Sequence, residues 1–185
     1  MMRALLTVGL LAALSVGLGA QAAPAAAGLK VGDPAPNFKL QASDGKTYQL
    51  SDFKGKKAVV VAWFPKAFTQ GCTIECKSLA ANGSKIREYD VAYFMASVDP
   101  LDQNTKFAAD NKADFPLLSD PTKETAKAYG VLSGAGFANR WTFYIDKDGK
   151  IAYIEKSVQP QTSAEDMVAK LGELKVAKAD PHAGH

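Results

Sequence analysis

Cysteine and histidine are both scarce in this 185-residue chain. It has two cysteines and two histidines, and 22 Lys and Arg residues nearly balance 19 Asp and Glu residues, for a net charge of +3. Two cysteines are too few for a small disulfide-stapled scaffold. A charge this small, without a dense basic cluster, argues against a nucleic-acid-binding surface. GxGxxG, Walker A and HExxH motifs are also missing, which argues against nucleotide-binding and zinc-protease sites. The composition is nevertheless that of a globular protein, with 47% apolar and 22% charged residues, and the length suggests one domain.

Residues 1–22 have the pattern of a secretory signal peptide. Arg3 supplies a positive start, an uncharged stretch of apolar and small residues runs from Ala4 to Leu18, and Ala20-Gln21-Ala22 fits the small-residue cleavage pattern. The alternative is an uncleaved membrane anchor, but this stretch of about 15 residues is shorter than the ~20 needed to span a bilayer. We therefore expect an exported protein, periplasmic or secreted, that has no membrane association once the signal is cleaved.

Beyond the signal, the pattern predicts a flexible leader over 23–28, one domain over 29–175 and a disordered tail over 176–185. Strands are predicted at 58–64, 91–98, 115–118, 141–145 and 151–155, with a β-hairpin over 37–50; helices are predicted at 72–89, 101–112, 121–129 and 164–174. The run AVVVAWF at 58–64 is apolar on both faces, as in a central strand covered by helices. This order predicts an α/β fold: a central mixed sheet flanked by helices, with an N-terminal β-hairpin.

Cys72 stands where the predicted central strand passes through a loop into a helix. Ligands of open α/β sheets bind beyond the carboxyl ends of the strands. A helix N-terminus offers free N–H groups and a positive partial charge, which stabilise a thiolate. Cys72 is therefore a candidate nucleophile, and the alternative is an ordinary buried structural cysteine.

Four segments together resemble the peroxiredoxin family. Pro65-x3-Thr69-x2-Cys72 matches the family's peroxidatic signature in every fixed position. The other three are the opening run 31–38, the run Ala128-Tyr129-Gly130-Val131, and the run 139–146, in which Arg140-Trp141-Thr142-Phe143 resembles an Arg-x-Thr-Phe strand. The resemblance covers about residues 29–174 and is closest to the bacterioferritin-comigratory, or PrxQ-type, group, here with an export signal. It implies a thioredoxin-like fold and reduction of hydrogen peroxide and organic hydroperoxides by thiols.

The resemblance also assigns roles to individual residues. Arg140 and the helix N-terminus keep the sulfur of Cys72 ionised, and Thr69 and the Cys72 N–H hold the peroxide. Pro65 shields the sulfur from water, and Glu75 orients the arginine. The alternatives are a surface strand residue for Arg140 and a plain helix N-cap for Thr69, which could also serve both purposes. The family further implies a thioredoxin-like or other thiol reductant, no cofactor or metal, and a monomer or weak dimer.

Cys76 is the candidate resolving cysteine. In the PrxQ-type group that residue often follows the peroxidatic cysteine by five positions, whereas the gap here is four. An ideal helix separates the Cα atoms of residues i and i+4 by about 6.2 Å, and those of i and i+5 by about 8.7 Å. Disulfides need roughly 4.4–6.8 Å, so the spacing of four comes close with modest distortion of the first turn. The alternative is a buried core cysteine, with resolution by an external thiol.

Cys72-x3-Cys76 is also the copper-ligand spacing of Sco-type copper chaperones. That family needs a histidine from the folded domain, whereas His182 and His185 both lie in the predicted tail. Thiol–disulfide oxidoreductases carry C-x2-C, which this chain lacks. A non-catalytic thioredoxin-like module is the remaining alternative, and the intact peroxidatic motif argues against it.

Overall fold

The computed structural model describes residues 28–180, so the predicted signal and most of the leader lie outside the described residues. The strands are β1 (Lys39–Ala42), β2 (Thr47–Gln49), β3 (Ala58–Trp63), β4 (Val91–Ser97), β5 (Leu117–Ser119), β6 (Thr142–Ile145) and β7 (Ile151–Glu155). The helices are α1 (Gln70–Ile86), α2 (Leu101–Asp110), α3 (Glu124–Ala128) and α4 (Ser163–Glu173). In the described part of the chain, no helix is long and apolar enough to cross a membrane.

The strands form one mixed sheet in the order β2-β1-β5-β4-β3-β6-β7. Strands β3, β4 and β5 are parallel to one another, whereas β1 and β6 run antiparallel to their neighbours β5 and β3. The hairpin of β1 and β2 at the N-terminal edge is confirmed, with Lys39 opposite Gln49. The predicted α/β architecture is therefore correct.

Every residue of β3 is buried, as its apolar run predicts. Val60 and Ala62 face one core cluster, which includes Leu79 of α1 and Met167 of α4. Val59, Val61 and Trp63 face the opposite cluster, with Phe38 and with Tyr129 just after α3. Because side chains alternate along a strand, this central strand supplies both cores.

Most observed elements begin or end within one to three residues of their predicted bounds, and two segments show why. The helix predicted at 121–129 is the shorter α3, since Lys123 adopts a left-handed conformation (φ 64°) just before it and ends the preceding turn. The tail predicted to be disordered from 176 is in part docked: the Asp90 N–H donates to the Ala177 carbonyl (2.7 Å), and the Ala179 N–H to the Glu88 carbonyl (2.8 Å). Residues 181–185 lie outside the described part of the chain.

Candidate active site

The sheet topology brings the two halves of the sequence motif together. β3 ends at Trp63, and residues 64–69 lead from it into α1. β6 runs antiparallel to β3, with Thr142 opposite Ala62, so the start of β6 lies beside the end of β3. Arg140, two residues before β6, therefore reaches the first turn of α1 although 68 residues separate it from Cys72 in sequence.

Cys72, Glu75 and Arg140 form one contact group. Arg140 Nη2 donates to Cys72 Sγ at 3.2 Å, while Arg140 Nη1 donates to Glu75 Oε2 in an ion pair. Cys72 and Glu75 are buried, and the side chain of Arg140 is 19% exposed. One guanidinium therefore serves two acidic groups in a largely dry setting, where electrostatic interactions are stronger than in water.

Burial is the main influence on the pKa values of Glu75 and Cys76. It raises the pKa of Glu75 to about 7, with Arg140 acting in the opposite direction. It also raises the pKa of the Cys76 thiol to about 12, and the neighbouring Glu75 and Cys72 add to the increase. Glu75 is thus an acid that titrates near neutral pH, whereas Cys76 stays protonated.

Thr69 occupies the N-cap position of α1, but its side chain does not cap the helix. Its hydroxyl donates instead to the Lys66 carbonyl at 2.9 Å. The first intrahelical bond runs from the Thr73 N–H to the Thr69 carbonyl, so the N–H groups of residues 70–72 have no helical acceptor. The Thr69 side chain therefore makes no capping bond in this conformation, and the N–H groups of residues 70–72 stay available as donors.

The other residues predicted for the site lie nearby. Pro65 is half-buried and directly follows β3 and Phe64. Cys76 lies one turn beyond Cys72 on the same helix, fully buried, and both cysteines are free thiols. α1 is continuous through both, so the distorted first turn that a disulfide would need is not present in this conformation.

Sequence reasoning missed three features around the start of α1: two in the loop that precedes the helix and one in its first turn. The Ala67 N–H donates to Asp99 Oδ2 at 2.8 Å, which ties the loop to the end of β4. Phe68 has φ 65°, a left-handed conformation that is uncommon outside glycine, and the residue is 49% exposed. Gly71 leaves room for the arginine, since a Cβ there would lie 3.1 Å from Arg140 Nη2. Of these features, only the role of Asp99 could have been suspected from the sequence, because Asp99 lies at the carboxyl end of a neighbouring parallel strand, where functional groups gather.

Comparison with known proteins places this geometry in a family. The family model described as AhpC/TSA matches residues 31–154. Peroxiredoxin Bcp of Escherichia coli is 35% identical over 133 residues, which are 68% of this chain and 85% of that protein. Alkyl hydroperoxide reductase E of Mycobacterium tuberculosis is 36% identical over 130 residues, covering 69% of this chain and 85% of that protein.

Solved structures give the same result for the fold. The crystal structure of peroxidoxin BcpB from Mycobacterium tuberculosis has a TM-score of 0.71 at 30% identity, covering 78% of this chain and 97% of that one. A PrxQ mutant from Xylella fastidiosa has a TM-score of 0.73 at 23% identity, covering 80% of this chain and 98% of that one, which supports the fold alone. The thioredoxin-like fold is thus confirmed, and the chain belongs to the AhpC/TSA family of peroxiredoxins.

Proposed function

We propose that this protein is a thiol-dependent peroxidase that reduces hydrogen peroxide and organic hydroperoxides with Cys72 as the nucleophile. The observation that carries the proposal is the 3.2 Å contact between Arg140 Nη2 and Cys72 Sγ at the N-terminus of α1. A guanidinium and a helix N-terminus both favour the thiolate, the reactive form of cysteine. The family membership and the hydroperoxide reductase among the relatives support the same reaction.

In the reaction, the Cys72 thiolate attacks the hydroxyl oxygen of the peroxide. An S–O bond forms and the O–O bond breaks, so the sulfur is oxidised to a sulfenic acid and the peroxide leaves as an alkoxide or hydroxide, which takes up a proton. Negative charge moves from sulfur to the departing oxygen. Fixed donors that face this path stabilise the transition state without having to reorganise.

Three sets of polar groups support the proposal that the peroxide binds here. The Thr69 hydroxyl donates its hydrogen bond to the Lys66 carbonyl. The lone pairs of the hydroxyl oxygen are therefore free to accept a hydrogen bond from the peroxide O–H. The N–H groups of residues 70–72 and the Arg140 guanidinium supply donors for the oxygen that acquires charge. Thr69 and Phe68 are exposed, so this loop is the side from which a peroxide enters.

The direct test is thiol-dependent peroxide consumption by Cys72→Ser, with Cys76→Ser as the matched control. We expect Cys72→Ser to lose the activity, because the hydroxyl is not ionised at neutral pH. Cys76→Ser should still consume one equivalent of peroxide. Full activity in Cys72→Ser would refute the proposed function.

A Sco-type copper site is the weaker interpretation of the same two cysteines. Cu(I) favours thiolate ligands, but the positive guanidinium of Arg140 lies 3.2 Å from the sulfur of Cys72 and repels a metal cation there. The family match supports the peroxidase over this alternative.

We further propose that Cys76 resolves the oxidised Cys72 after the first turn of α1 opens. Cys76 is fully buried with a pKa raised to about 12, so in the closed helix it is a poor nucleophile. Unwinding residues 70–76 exposes the thiol to water, lowers its pKa and lets the two sulfur atoms meet. The sulfenic acid and the thiol then condense to a disulfide and water.

Mass spectrometry after one equivalent of peroxide tests this step. Loss of two hydrogens within the peptide that carries both cysteines supports intramolecular resolution. Persistent sulfenic acid or disulfide-linked dimers would show that Cys76 does not resolve Cys72. We expect Cys76→Ser to over-oxidise faster than the unmutated protein, because it has lost its resolving thiol. Equal rates of over-oxidation in the two proteins would contradict a resolving role for Cys76.

The cellular setting is a separate proposal. We infer export from the pattern of residues 1–22, and with it a thioredoxin-like reductant outside the cytosol. A monomer or weak dimer is proposed separately, from the resemblance to the PrxQ-type group. N-terminal sequencing of the protein recovered from cell fractions tests the export. A chain that keeps its first residues and stays in the cytosol would contradict it.

A further inference from the structure

Glu75 has one carboxyl oxygen whose role the peroxidase mechanism does not explain. Oε2 is ion-paired with Arg140, whereas Oε1 is buried and finds no hydrogen-bond partner among the described residues. A buried polar atom without a partner is destabilising, because it loses its hydrogen bonds to water. An orienting carboxylate needs only the oxygen that contacts Arg140, so the second oxygen points to a further role.

A cavity of about 50 Å³ borders Glu75 and leads towards the surface. Its polar lining includes Glu155, Ser157 and Asp166, and of these Ser157 and Asp166 are exposed. A water molecule needs roughly 10–15 Å³ of such volume and several polar partners. The cavity therefore has the size and the lining to connect a buried acid to solvent through water.

Arg140 provides a single positive charge for two acidic groups. When Cys72 is a thiolate, an ionised Glu75 would leave two buried anions on one cation, which is unfavourable in a dry site. A protonated Glu75 makes the group neutral. Once the sulfur is a neutral sulfenic acid, an ionised Glu75 is the state that balances Arg140.

The ionisable groups around Glu75 come from every element packed against it: Cys72 and Cys76 on α1, Arg140 before β6, Tyr144 on β6, Glu155 on β7 and Asp166 on α4. Among these, Arg140 is the cation. Burial raises the pKa of the Cys76 thiol to about 12 and raises that of Tyr144 further, so both stay neutral. Burial also raises the pKa of Glu75 itself to about 7. A change in the charge of Cys72 can therefore change the protonation state of Glu75 near neutral pH.

We propose, building on the proposed peroxidase function, that Glu75 holds a proton while Cys72 is a thiolate and releases it through this cavity when the thiolate reacts. The sulfur gives two electrons to the peroxide, the S–O bond forms, and the O–O bond breaks. The departing alkoxide takes one proton from solvent, and Glu75 returns one proton to solvent. The oxidative step is then proton-neutral overall, and Glu75 regains its proton when the thiolate is regenerated.

Proton uptake during a single turnover with hydrogen peroxide, followed with a pH indicator in weak buffer near neutral pH, tests the proposal. The ultraviolet absorbance of the thiolate is recorded first, to show that Cys72 is ionised in each reduced protein. We expect uptake near zero in the unmutated protein and about one proton per peroxide in Glu75→Gln. Disulfide formation from sulfenic acid and thiol is itself proton-neutral, so it does not disturb the count. Uptake of one proton by the unmutated protein would overturn the proposal.

Glu155→Gln and Asp166→Asn are the matched controls, because both carboxylates line the same cavity but neither is bonded to Arg140. We expect both variants to keep uptake near zero. A full proton of uptake in either would place the released proton on that residue and refute the assignment to Glu75.

Alkylation by iodoacetamide separates this proposal from the peroxidase function, since it converts the thiolate to a neutral thioether without a peroxide. In a Cys76→Ser background, we expect release of one proton per alkylated Cys72, and none when Glu75→Gln is added. The infrared band of a protonated carboxyl should disappear on alkylation in the Glu75-containing protein, a readout that does not require Glu75→Gln to fold. An unchanged band would refute the proposal, whereas a failure to consume peroxide would refute only the peroxidase function.

Discussion

Arg140 determines the chemistry of the site at the scale of single residues. Burial works against its charge, but Glu75 and Cys72 outweigh burial and raise the pKa of the guanidinium, so it remains a cation. Its planar fork lets one nitrogen contact Cys72 while the other holds Glu75. A lysine offers a single point charge and cannot make both contacts in this geometry.

Arg140→Met should slow the peroxide step by about 10²–10³-fold, the loss typical of removing one preorganised donor from a reacting centre. Stopped-flow kinetics measure the rate of this step. Arg87→Met is the matched control, since Arg87 pairs with Asp114 on the surface. Equal rates in the two variants would exclude Arg140 from the reaction.

Gly71→Ala should shift the guanidinium without removing it. The added Cβ would lie 3.1 Å from Arg140 Nη2, so the side chain must move by a few tenths of an ångström. A displacement of about 1 Å near a reacting centre can cost about 10²-fold, so we expect a loss of roughly 3- to 10-fold in the peroxide step. Gly134→Ala has no atom within 4 Å of its new Cβ and should leave the rate unchanged. A normal rate in Gly71→Ala would show that Arg140 tolerates the shift.

At the scale of elements, the loop between β3 and α1 is fixed from two sides. The Thr69 hydroxyl closes it onto Lys66, and Asp99 after β4 accepts the Ala67 N–H. The Ser97 hydroxyl donates to the same carboxylate at 3.0 Å. These bonds hold Phe68 in its left-handed conformation and present Thr69 and the α1 N-terminus to a substrate.

Asp99→Ala should therefore weaken both stability and catalysis. It leaves the buried Ala67 N–H without its acceptor, at a cost of about 1–3 kcal/mol of unfolding free energy. Asp99→Asn keeps an acceptor oxygen and should recover most of both properties. Urea unfolding and the rate of the peroxide step measure the effects, with Asp110→Ala on the surface of α2 as the control. If Asp99→Ala loses stability but reacts at the normal rate, the bond does not position the loop for catalysis.

At the scale of the whole molecule, the fold buries an acid away from the protein surface. Glu75 lies beneath Arg140 between α1 and the sheet and is 1% exposed. In the unfolded chain this carboxyl ionises near its ordinary pKa of 4.5, whereas in the folded protein its pKa is raised to about 7. The folded state thus binds a proton that the unfolded state has already released.

Stability should consequently depend on pH in a defined direction. As pH rises from 4.5 to about 7, the unfolding free energy of the unmutated protein should fall relative to that of Glu75→Gln. The contribution of Glu75 is fully present below pH 4.5 and lost above about pH 7, where the difference becomes constant. Denaturant unfolding of both proteins across this range checks the sign. A difference that is independent of pH would show that the pKa of Glu75 is the same in both states.

Local patterns in the sequence predicted most of the elements, and they predict Cys72 as the nucleophile. The apolar run at 58–64 predicts the central strand β3, and Asp44-Gly45 predicts the hairpin, because burial and turn chemistry are decided by neighbouring residues. The motif around Cys72 predicted the reaction. The conformations of Phe68 and Lys123 could not be predicted, since left-handed backbone outside glycine is imposed by surrounding contacts.

The sequence by itself determined which side chains were available: a thiol at a strand–helix junction, a threonine three residues before it and an arginine far along the chain. The tertiary structure decided what these groups do to one another. Antiparallel pairing of β6 with β3 brings Arg140 to Cys72 and Glu75, and the packing of α1 on the sheet buries Glu75 and Cys76. Burial and charge sharing set the pKa of an acid, and both depend on contacts between residues that are distant in sequence.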